Sequence, residues 1–209
     1  MRVLFFDTET NGLPTGPRGS SNPRDWPAIV QLAWQVWDFP SYVHVSSTSY
    51  ILRPSPELVW NLGSQAFHQI SKERAIAEGV DPVEALAAFR AALDSCPFVV
   101  AHNLAFDKPV LGAEIERRGL PPLSWPLGRG GHECCTMLVS KDYCRLPSPY
   151  GRGDYKYPKL SELHALLFGT KTAVAFHNAA EDVEATVQCF LRLVDDGVLT
   201  GADRDALRV

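Results

Sequence analysis

The stretch VLFFDTETNGL, Val3 to Leu13, decides the fold. Its four consecutive apolar residues, Val3 to Phe6, predict a buried strand, and Asn11-Gly12 predicts the turn that ends it. Asp7 and Glu9 are two positions apart, so on a strand both carboxylates project from the same face. Two such charges about 6–7 Å apart repel by about 2–3 kcal/mol at an effective dielectric constant of about 20. The pair therefore predicts a bound cation, a protonated carboxyl group or a strand that ends before Glu9.

The bulk composition is that of a globular domain. The 209 residues are 45% hydrophobic and 21% charged, which is enough for a full core. We find no long apolar run for a membrane helix and no basic-then-apolar signal segment at the N-terminus. The five cysteines are odd in number and include a vicinal pair, which fits reduced thiols. These features predict one domain, residues 1–209, with a cytoplasmic location and no membrane partner.

The net charge of −4 first argues against a polyanionic partner. The 20 Lys and Arg residues face 24 Asp and Glu residues, and neutralising four carboxylates with bound metal would balance the two sets. The charge therefore neither supports nor excludes binding to nucleic acid.

A zinc site is one interpretation of a cysteine-rich segment. Its candidate ligands are His132, Cys134, Cys135 and Cys144, but their spacing matches no standard zinc module. The other interpretation is that the thiols are reduced and half-buried. The sequence leaves both interpretations open.

The rest of the chain predicts strands first and helices later. Ala28–Asp38 and Tyr42–Leu52 are β-rich runs that predict an antiparallel hairpin beside the first strand. Pro97–Ala101 and Cys134–Val139 predict further strands. Helices are predicted by the Asp81-Pro82 start signal, by Asn103 as the cap of a helix reaching about Gly119, and by the segments Leu160–Phe168, Ala179–Asp196 and Thr200–Leu207.

This order predicts an α/β fold with a mixed sheet, in which an antiparallel meander of the first three strands is joined by parallel strands and flanked by helices. Ligands of such sheets gather at the carboxyl ends of strands. Asp7, Glu9 and Asp107 all follow such ends, so one site could hold the three carboxylates. A fourth acid, Asp182, is expected about one turn inside the last long helix, with His177 just ahead of that helix.

Three segments together resemble the motifs of the DnaQ-like (DEDDh) 3′–5′ exonucleases, a superfamily with an RNase H-like fold. FFDTETNGLP resembles the first motif, VAHNLAFDKPVL the second and FHNAAEDVEAT the third. The four residues between His177 and Asp182 match the histidine branch of the superfamily. FHQIS and YKYPKLSELHALLFG resemble further family segments more weakly, so the resemblance spans nearly the whole chain.

The resemblance implies a cage for two divalent cations, Mg²⁺ or Mn²⁺, which suit hard carboxylate ligands. Asp7 would bridge both ions, Glu9 and Asp182 would join it on one ion, and Asp107 would act on the other. His177 would be the general base that activates the attacking water.

The resemblance also implies the reaction. The domain would hydrolyse phosphodiester bonds at the 3′ end of a single-stranded or frayed nucleic acid and release 5′-mononucleotides. DNA is favoured over RNA, although the residues themselves do not choose between the two. A polymerase or repair protein is the implied protein partner, and no nucleotide cofactor is implied.

Substrate contacts follow from the resemblance as well. Thr10 and Leu13 would contact the 3′-terminal nucleotide, with Leu13 as an apolar wedge against the last bases. His68, Asn103 and Phe106 would lie nearby. A position in the helix core is an equal interpretation for Phe106.

The segment from Lys141 to Lys159 interleaves cations and aromatic residues in a loop rich in Pro and Gly. Such loops offer phosphate contacts and stacking faces to a single strand, and Arg152 and Lys156 would make those contacts. A solvated loop packed down by its tyrosines is the alternative.

Two other functions are compatible with parts of the pattern. A phosphatase of the haloacid dehalogenase class begins with a strand and Asp-x-Asp-x-Thr, which Asp7-Thr8-Glu9-Thr10 approaches. That chemistry has no use for the pair His177 and Asp182. A DnaQ-like domain that binds nucleic acid or a polymerase without catalysis is the other alternative.

Overall fold

A mixed sheet forms the centre of the molecule, whose computed structural model describes residues 1–17, 19–149, 154–169 and 178–207. The sheet has the order β3-β2-β1-β4-β5. Its strands are β1 Arg2–Thr10, β2 Ile29–Asp38, β3 Val43–Ile51, β4 Phe98–Ala101 and β5 His132–Cys135. The first three strands pair antiparallel, whereas β4 is parallel to β1 and β5 is parallel to β4. The predicted α/β class and the mixed sheet are confirmed.

The first strand is buried on both faces, as its apolar run predicts. Val3 and Phe5 point into one core layer, and Leu4 and Phe6 point into the other. All four side chains are fully buried. The strand thereby fixes the two faces of the sheet on which the helices pack.

Helices cover both faces. In chain order they are α1 Leu62–His68, α2 Lys72–Glu78, α3 Pro82–Ser95, α4 Leu104–Arg117, α5 Thr136–Val139, α6 Lys141–Cys144, α7 Leu160–Phe168, α8 Ala179–Asp195 and α9 Gly201–Leu207. The layer that contains Leu4 and Phe6 is completed by α3 and α4. The opposite layer is completed by α7, α8 and α9. No helix in the described ranges has the length and apolarity needed to span a membrane.

Local signals set the starts of several helices, but the predicted signal fails at α4. The Asp81 carboxylate accepts a hydrogen bond of 2.8 Å from the Val83 backbone N–H and so caps α3, as predicted. Asn103 does precede α4, but its side chain makes no cap hydrogen bond, so the predicted cap is wrong. The reason is its left-handed backbone (φ 69°, ψ 45°), because a capping side chain is normally presented from an extended residue.

The predicted strand Cys134–Val139 is wrong from Thr136 onward. The strand β5 ends at Cys135, and the short helix α5 follows. The hydroxyl of Thr136 explains the change, because it lies 2.9 Å from the His102 ring and 3.4 Å from the Ala101 carbonyl oxygen. These contacts turn the chain over the end of β4.

The zinc interpretation does not fit the geometry of β5. Cys134 and Cys135 are neighbours on the strand and point into opposite core layers, so they cannot bind one ion. The five cysteines are free and buried. His132 lies 3.3 Å from the Asp203 carboxylate instead. The thiols therefore act as small apolar core groups.

Candidate active site

The carboxyl end of β1 brings the first two acids to one edge of the sheet. Asp7 pairs with Ala33 of β2, and Glu9 pairs with Gln31. Both acids point to the side of the sheet on which α8 packs, the side that Val3 and Phe5 face. Both are half-buried, because strands and helices surround them while the sheet edge stays open to water.

Asp107 reaches the same edge from the first turn of α4. Its side chain is only 3% exposed. The Oδ1 atom accepts hydrogen bonds from the Thr8 hydroxyl at 2.6 Å and from the Thr8 backbone N–H at 3.2 Å. Thr8 thus holds Asp107 against β1, between the positions of Asp7 and Glu9.

Asp182 arrives on the first turn of α8, and Gln31 fixes the start of that helix. The Gln31 side chain donates to the Asn178 side-chain oxygen at 3.2 Å and accepts from the Ala179 backbone N–H at 3.1 Å. Asn178 also caps the helix by accepting from the Ala180 N–H. Because Gln31 is the strand partner of Glu9, these bonds bring the start of α8 next to Glu9.

The acids converge. Carboxylate oxygens of Asp7, Glu9 and Asp182 lie within 4.8 Å of one another, and the charge of Asp107 is close enough to act on Asp7 and Glu9. The ion pairs found in the described part of the chain all involve other carboxylates. Four acids therefore share one small volume without a described basic partner.

Burial and repulsion raise the pKa of every acid in the cluster. Desolvation by burial is the largest cause in each case. The pKa of Glu9 rises to about 8, that of Asp107 to about 7 and that of Asp182 to about 6. The pKa of Asp7 is also raised well above its ordinary value, by burial and then by the three neighbouring charges. Without a cation the cluster must retain protons, and Glu9 and Asp182 then share a hydrogen bond.

The donor set fits a divalent metal ion. Carboxylate oxygens are hard ligands of the kind that Mg²⁺ and Mn²⁺ prefer, and a doubly charged ion would offset the repulsion that raises the pKa values. Asp7, Glu9 and Asp182 supply the nearest oxygens, and Asp107 stands beside them.

The predicted general base, His177, lies outside the described residues, as does Arg152. The described chain resumes at Asn178, directly after His177 and at the start of α8. The role of His177 therefore rests on the sequence.

The residues predicted to contact a 3′-terminal nucleotide differ in their surroundings. Leu13 is 78% exposed, as an apolar wedge would be before a strand binds. The Thr10 hydroxyl donates to the Gly12 carbonyl oxygen at 2.8 Å and shapes the turn after β1. Asn11 joins this turn to the segment before α1, because its side chain bonds to Val59 and Asn61.

His68 ends α1 and carries a polar atom with no described partner. The side chain is 3% exposed, and its Nδ1 accepts from the Ile70 backbone N–H at 3.1 Å. Its Nε2 is buried and has no hydrogen-bond partner among the described residues. Burial lowers the pKa of His68, so the ring is neutral and Nε2 is a buried donor.

Asn103 and Phe106 frame the start of α4. Both are half-buried, and the Phe106 ring meets the Trp26 ring edge-on at 6.4 Å between centroids. Phe106 packs against the edge of the core rather than inside it. Its position beside Asp107 is compatible with both interpretations made from the sequence.

In the described part of the segment from Lys141 to Lys159, two of the cations are paired. Lys141 forms an ion pair of 3.0 Å with Asp154 and lies over the Tyr157 ring, and Lys156 pairs with Glu162. These contacts support the packed-loop alternative for Lys141 and Lys156.

Sequence reasoning missed two positioning residues, Thr8 and Gln31. Gln31 is 4% exposed and interrupts an otherwise apolar run in β2, which is the one signal that could have drawn attention to it. Thr8 is also buried and lies between the two acids of β1. Neither residue reveals its partner in the sequence, because those partners lie far along the chain.

Comparison with solved structures identifies the fold. Exonuclease I of E. coli in complex with a 5cy-dA13 oligonucleotide superposes with a TM-score of 0.70 at 19% identity, over 93% of this chain and 40% of that chain. A second structure of exonuclease I, which suggests how processivity is achieved, superposes with a TM-score of 0.71 at 19% identity, over 93% of this chain and 41% of that chain. A moderately thermophilic exonuclease I from Methylocaldum szegediense gives 0.69 at 21% identity, over 93% and 40%.

These matches establish an exonuclease I-like fold, as the sequence resemblance implies. The chain spans about 40% of the length of the exonuclease I chains that it matches. No family model matches the sequence, and a search of curated proteins finds no relative.

Proposed function

We propose that the protein is a metal-dependent 3′–5′ exonuclease that removes nucleotides from the 3′ end of a single strand, with DNA favoured over RNA. One observation carries the proposal: Asp7, Glu9 and Asp182 bring carboxylate oxygens within 4.8 Å of one another, beside Asp107. Solved structures with the same fold include exonuclease I bound to single-stranded DNA oligonucleotides. That similarity supports the choice of a nucleic-acid strand as substrate.

In this proposal the four carboxylates hold two divalent cations, Mg²⁺ or Mn²⁺. Such ions would supply charge stabilisation at phosphorus, a water of lowered pKa and help for the leaving 3′-oxygen. Asp7 is central, because the charges of the other three acids all raise its pKa. Thr8 keeps Asp107 in place, and Gln31 keeps the start of α8 in place.

His177 is proposed as the general base that accepts a proton from the attacking water. An imidazole with an ordinary pKa near 6.5 can accept that proton at neutral pH. The side chains proposed to hold the terminal nucleotide are Thr10, Leu13, His68, Asn103 and Phe106. Among them, His68 has a buried Nε2–H donor without a described partner. A sugar or phosphate oxygen of the substrate could accept a hydrogen bond from it.

The first experiment offers labelled substrates with Mg²⁺, with Mn²⁺ and with a chelator. The set comprises single-stranded DNA, duplex DNA with recessed or frayed ends, and short RNA. We expect stepwise release of 5′-mononucleotides from the 3′ end of single-stranded DNA, and no release with the chelator. Internal cleavage, or equal activity with the chelator, would contradict the proposal.

A second experiment isolates the role of His177. We expect His177→Ala to lose turnover while it retains cation binding and strand binding, because the carboxylate cage stays intact. His164→Ala is the matched control, since His164 lies on α7 outside the proposed machinery. A His177→Ala variant that keeps most of its activity would remove His177 from the role of base.

A catalytically silent strand-binding domain is the alternative function. The same nuclease assay separates the two functions, because a silent domain would bind the labelled strand without shortening it. The phosphatase alternative predicts release of inorganic phosphate from a monoester instead.

A further inference from the structure

An arginine-lined pocket lies apart from the acidic cluster. It encloses about 290 Å³ between the start of β2, the segment after β3 and the end of α4. Its charged lining residues are Arg24, Arg53, Glu114, Arg117 and Arg118. Four guanidinium groups thus accompany one carboxylate, which leaves three positive charges uncompensated within the lining.

Two of the arginines are structural. Glu114 is 2% exposed and accepts hydrogen bonds from Arg117 and, at 2.8 Å, from Arg118. Arg117 also donates to backbone carbonyl oxygens in the segment before β2, including that of Trp26 at 2.8 Å. Arg117 therefore fastens the end of α4 to this segment and fixes the wall of the pocket.

The other two arginines, Arg24 and Arg53, are exposed. Neither forms an ion pair with any residue in the described ranges. They approach the pocket from different segments, one before β2 and one after β3. Their planar guanidinium groups are suited to phosphate oxygens, which they can contact through two parallel hydrogen bonds.

The strand register sets the distance from the acidic cluster. Glu9 pairs with Gln31, Gln31 pairs with Ile51, and Arg53 follows two residues later. With strands about 4.8 Å apart and a rise of about 3.3 Å per residue, the Cα atoms of Glu9 and Arg53 are about 12 Å apart. A few nucleotides cover that distance, since stacked phosphates of one strand recur about every 3.4 Å along the axis.

Aromatic rings connect the two sites. Trp26 lines the arginine pocket and also an adjoining groove of about 430 Å³, whose other wall includes Trp125. The Trp26 ring meets Phe106, and Phe106 directly precedes Asp107. The Trp26 indole N–H donates to the Ser20 carbonyl oxygen at 2.9 Å, which holds the ring in place. Aromatic faces followed by cations form a typical surface for single-stranded nucleic acid.

In the described part of the other basic region, from Lys141 to Lys159, two of the cations are neutralised, whereas Arg145 and Lys159 form no described ion pair. Lys141 and Lys156 are each paired with a carboxylate, whereas Arg24 and Arg53 are not. Phosphates would therefore gain more from the arginine pocket than from these two lysines.

We propose that the arginine-lined pocket binds the phosphate backbone of the substrate strand a few nucleotides away from the 3′ end, with Arg24 and Arg53 as the phosphate contacts. The proposal rests on the proposed exonuclease function and adds a second contact region to it. It predicts that long single strands are used more efficiently than very short ones, and that salt weakens this preference.

The test compares Arg24→Gln/Arg53→Gln with the unchanged protein on a trinucleotide and on an oligonucleotide of about 20 residues. We expect kcat/KM on the long strand to fall about tenfold at low salt, and its log–log salt slope to become shallower by about 1.4, which is two contacts at about 0.7 each. Turnover of the trinucleotide should not change. Thermal melting of the double variant checks that it is folded.

The matched control is Arg74→Gln/Arg192→Gln, which removes the same charge from exposed sites on α2 and α8. An unchanged long-strand kcat/KM and salt slope would overturn the pocket proposal, as would an equal loss in the control. If the unchanged protein shortens no strand, the exonuclease proposal fails instead. Fluorescence anisotropy of the long oligonucleotide then tests the pocket alone, and equal affinity of both double variants would overturn it.

Discussion

Helix α4 buries two carboxylates, about two turns apart, whose surroundings carry opposite charge. Glu114 is 2% exposed and forms ion pairs with Arg117 and Arg118. Asp107 is 3% exposed, accepts hydrogen bonds from the neutral donors of Thr8, forms no ion pair with a described residue and lies near three more acids. The fold can thus neutralise a buried carboxylate with its own cations, and among the described residues it does so at one end of this helix. At the other end we infer that the cations come from solution.

The largest expected effect comes from removing the central acid of the cluster. Asp7→Asn should lower exonuclease activity about 10³-fold, because cation binding at phosphorus is worth several kcal/mol. In the absence of metal the same variant should be more stable by about 1–3 kcal/mol, since folding no longer has to bury or protonate the Asp7 carboxylate. Turnover assays and chelator-containing denaturation curves measure the two effects.

The control for Asp7→Asn is Asp38→Asn, at the far end of the sheet, where Asp38 faces Arg2 at 3.9 Å. It should change neither quantity by much. An Asp7→Asn protein that is both less stable without metal and nearly fully active would contradict the contrast between the two ends of α4.

At the other end of α4, removing a buried carboxylate is expected to lower the stability of the protein rather than raise it. Glu114→Gln leaves Arg117 and Arg118 without their buried carboxylate and should destabilise the protein by about 3 kcal/mol. Glu78→Gln, which breaks the exposed pair with Arg74, should cost at most about 0.5 kcal/mol. Urea denaturation compares the two variants. Equal small losses would show that the buried arginine pairs do not stabilise the helix end.

The stability of the metal-free protein should depend on pH because of the acidic end of α4. The pKa values of Glu9, Asp107 and Asp182 are about 8, 7 and 6 in the folded protein, above their ordinary values near 4. Between about pH 4 and pH 8 the folded chain therefore binds more protons than the unfolded chain, and stability falls as the pH rises.

Denaturation in chelator across this range measures the slope. Saturating Mn²⁺ should flatten it, and Asp7→Asn should make it shallower, because one source of repulsion is removed. A metal-free stability that rises between pH 5 and pH 8 would contradict the raised pKa values.

The smallest expected effect concerns Gln31. Gln31→Leu removes both bonds that hold the start of α8 and leaves the buried Ala179 N–H unpaired, at a cost of about 1–2 kcal/mol. Because Asp182 moves with that helix turn, kcat should fall about tenfold.

Gln35→Leu is the matched control for Gln31→Leu. Gln35 lies on the same face of β2 and also bonds to α8, through Glu184 at 2.9 Å, but farther from the acids. It should leave kcat unchanged. Equal kcat values for the two variants would deny Gln31 a positioning role.

The sequence predicts the cluster well because its signals are local. Asp107 and Asp182 lie in the first turn of a recognisable helix, and the apolar run Val3 to Phe6 fixes the position of the first strand. The expectation that Asp7 and Glu9 follow the end of that strand is wrong, because β1 continues to Thr10 and holds both acids in its last residues. The order of strands and helices then restricts the sheet to a few topologies, and the mixed sheet is one of them.

The arginine end of α4 could not be predicted in the same way. Arg117 bonds to the carbonyl oxygens of Pro23, Trp26 and Pro27, which are 90 or more residues away in the sequence. Gln31 and Asn178 are 147 residues apart. Such partners are chosen by tertiary packing, which leaves no periodic pattern in the sequence.

The error at Cys134–Val139 has a physical cause of the same kind. A short run of this type fits a buried strand or a buried helix equally well by its pattern alone. The contact between Thr136 and His102 favours the short helix α5 after the strand. Burial lowers the pKa of His102 to about 4, so the ring in this contact is neutral. That contact exists only in the folded protein.

Direct titration with Mn²⁺ tests the central inference, that cations from solution complete the acidic end of α4. Electron paramagnetic resonance counts free Mn²⁺ as it is added to the unchanged protein, to Asp7→Asn and to Glu114→Gln near neutral pH. We expect two ions to bind to the unchanged protein and to folded Glu114→Gln, and binding to weaken sharply in Asp7→Asn. Equal Mn²⁺ binding by Asp7→Asn and the unchanged protein would contradict the account.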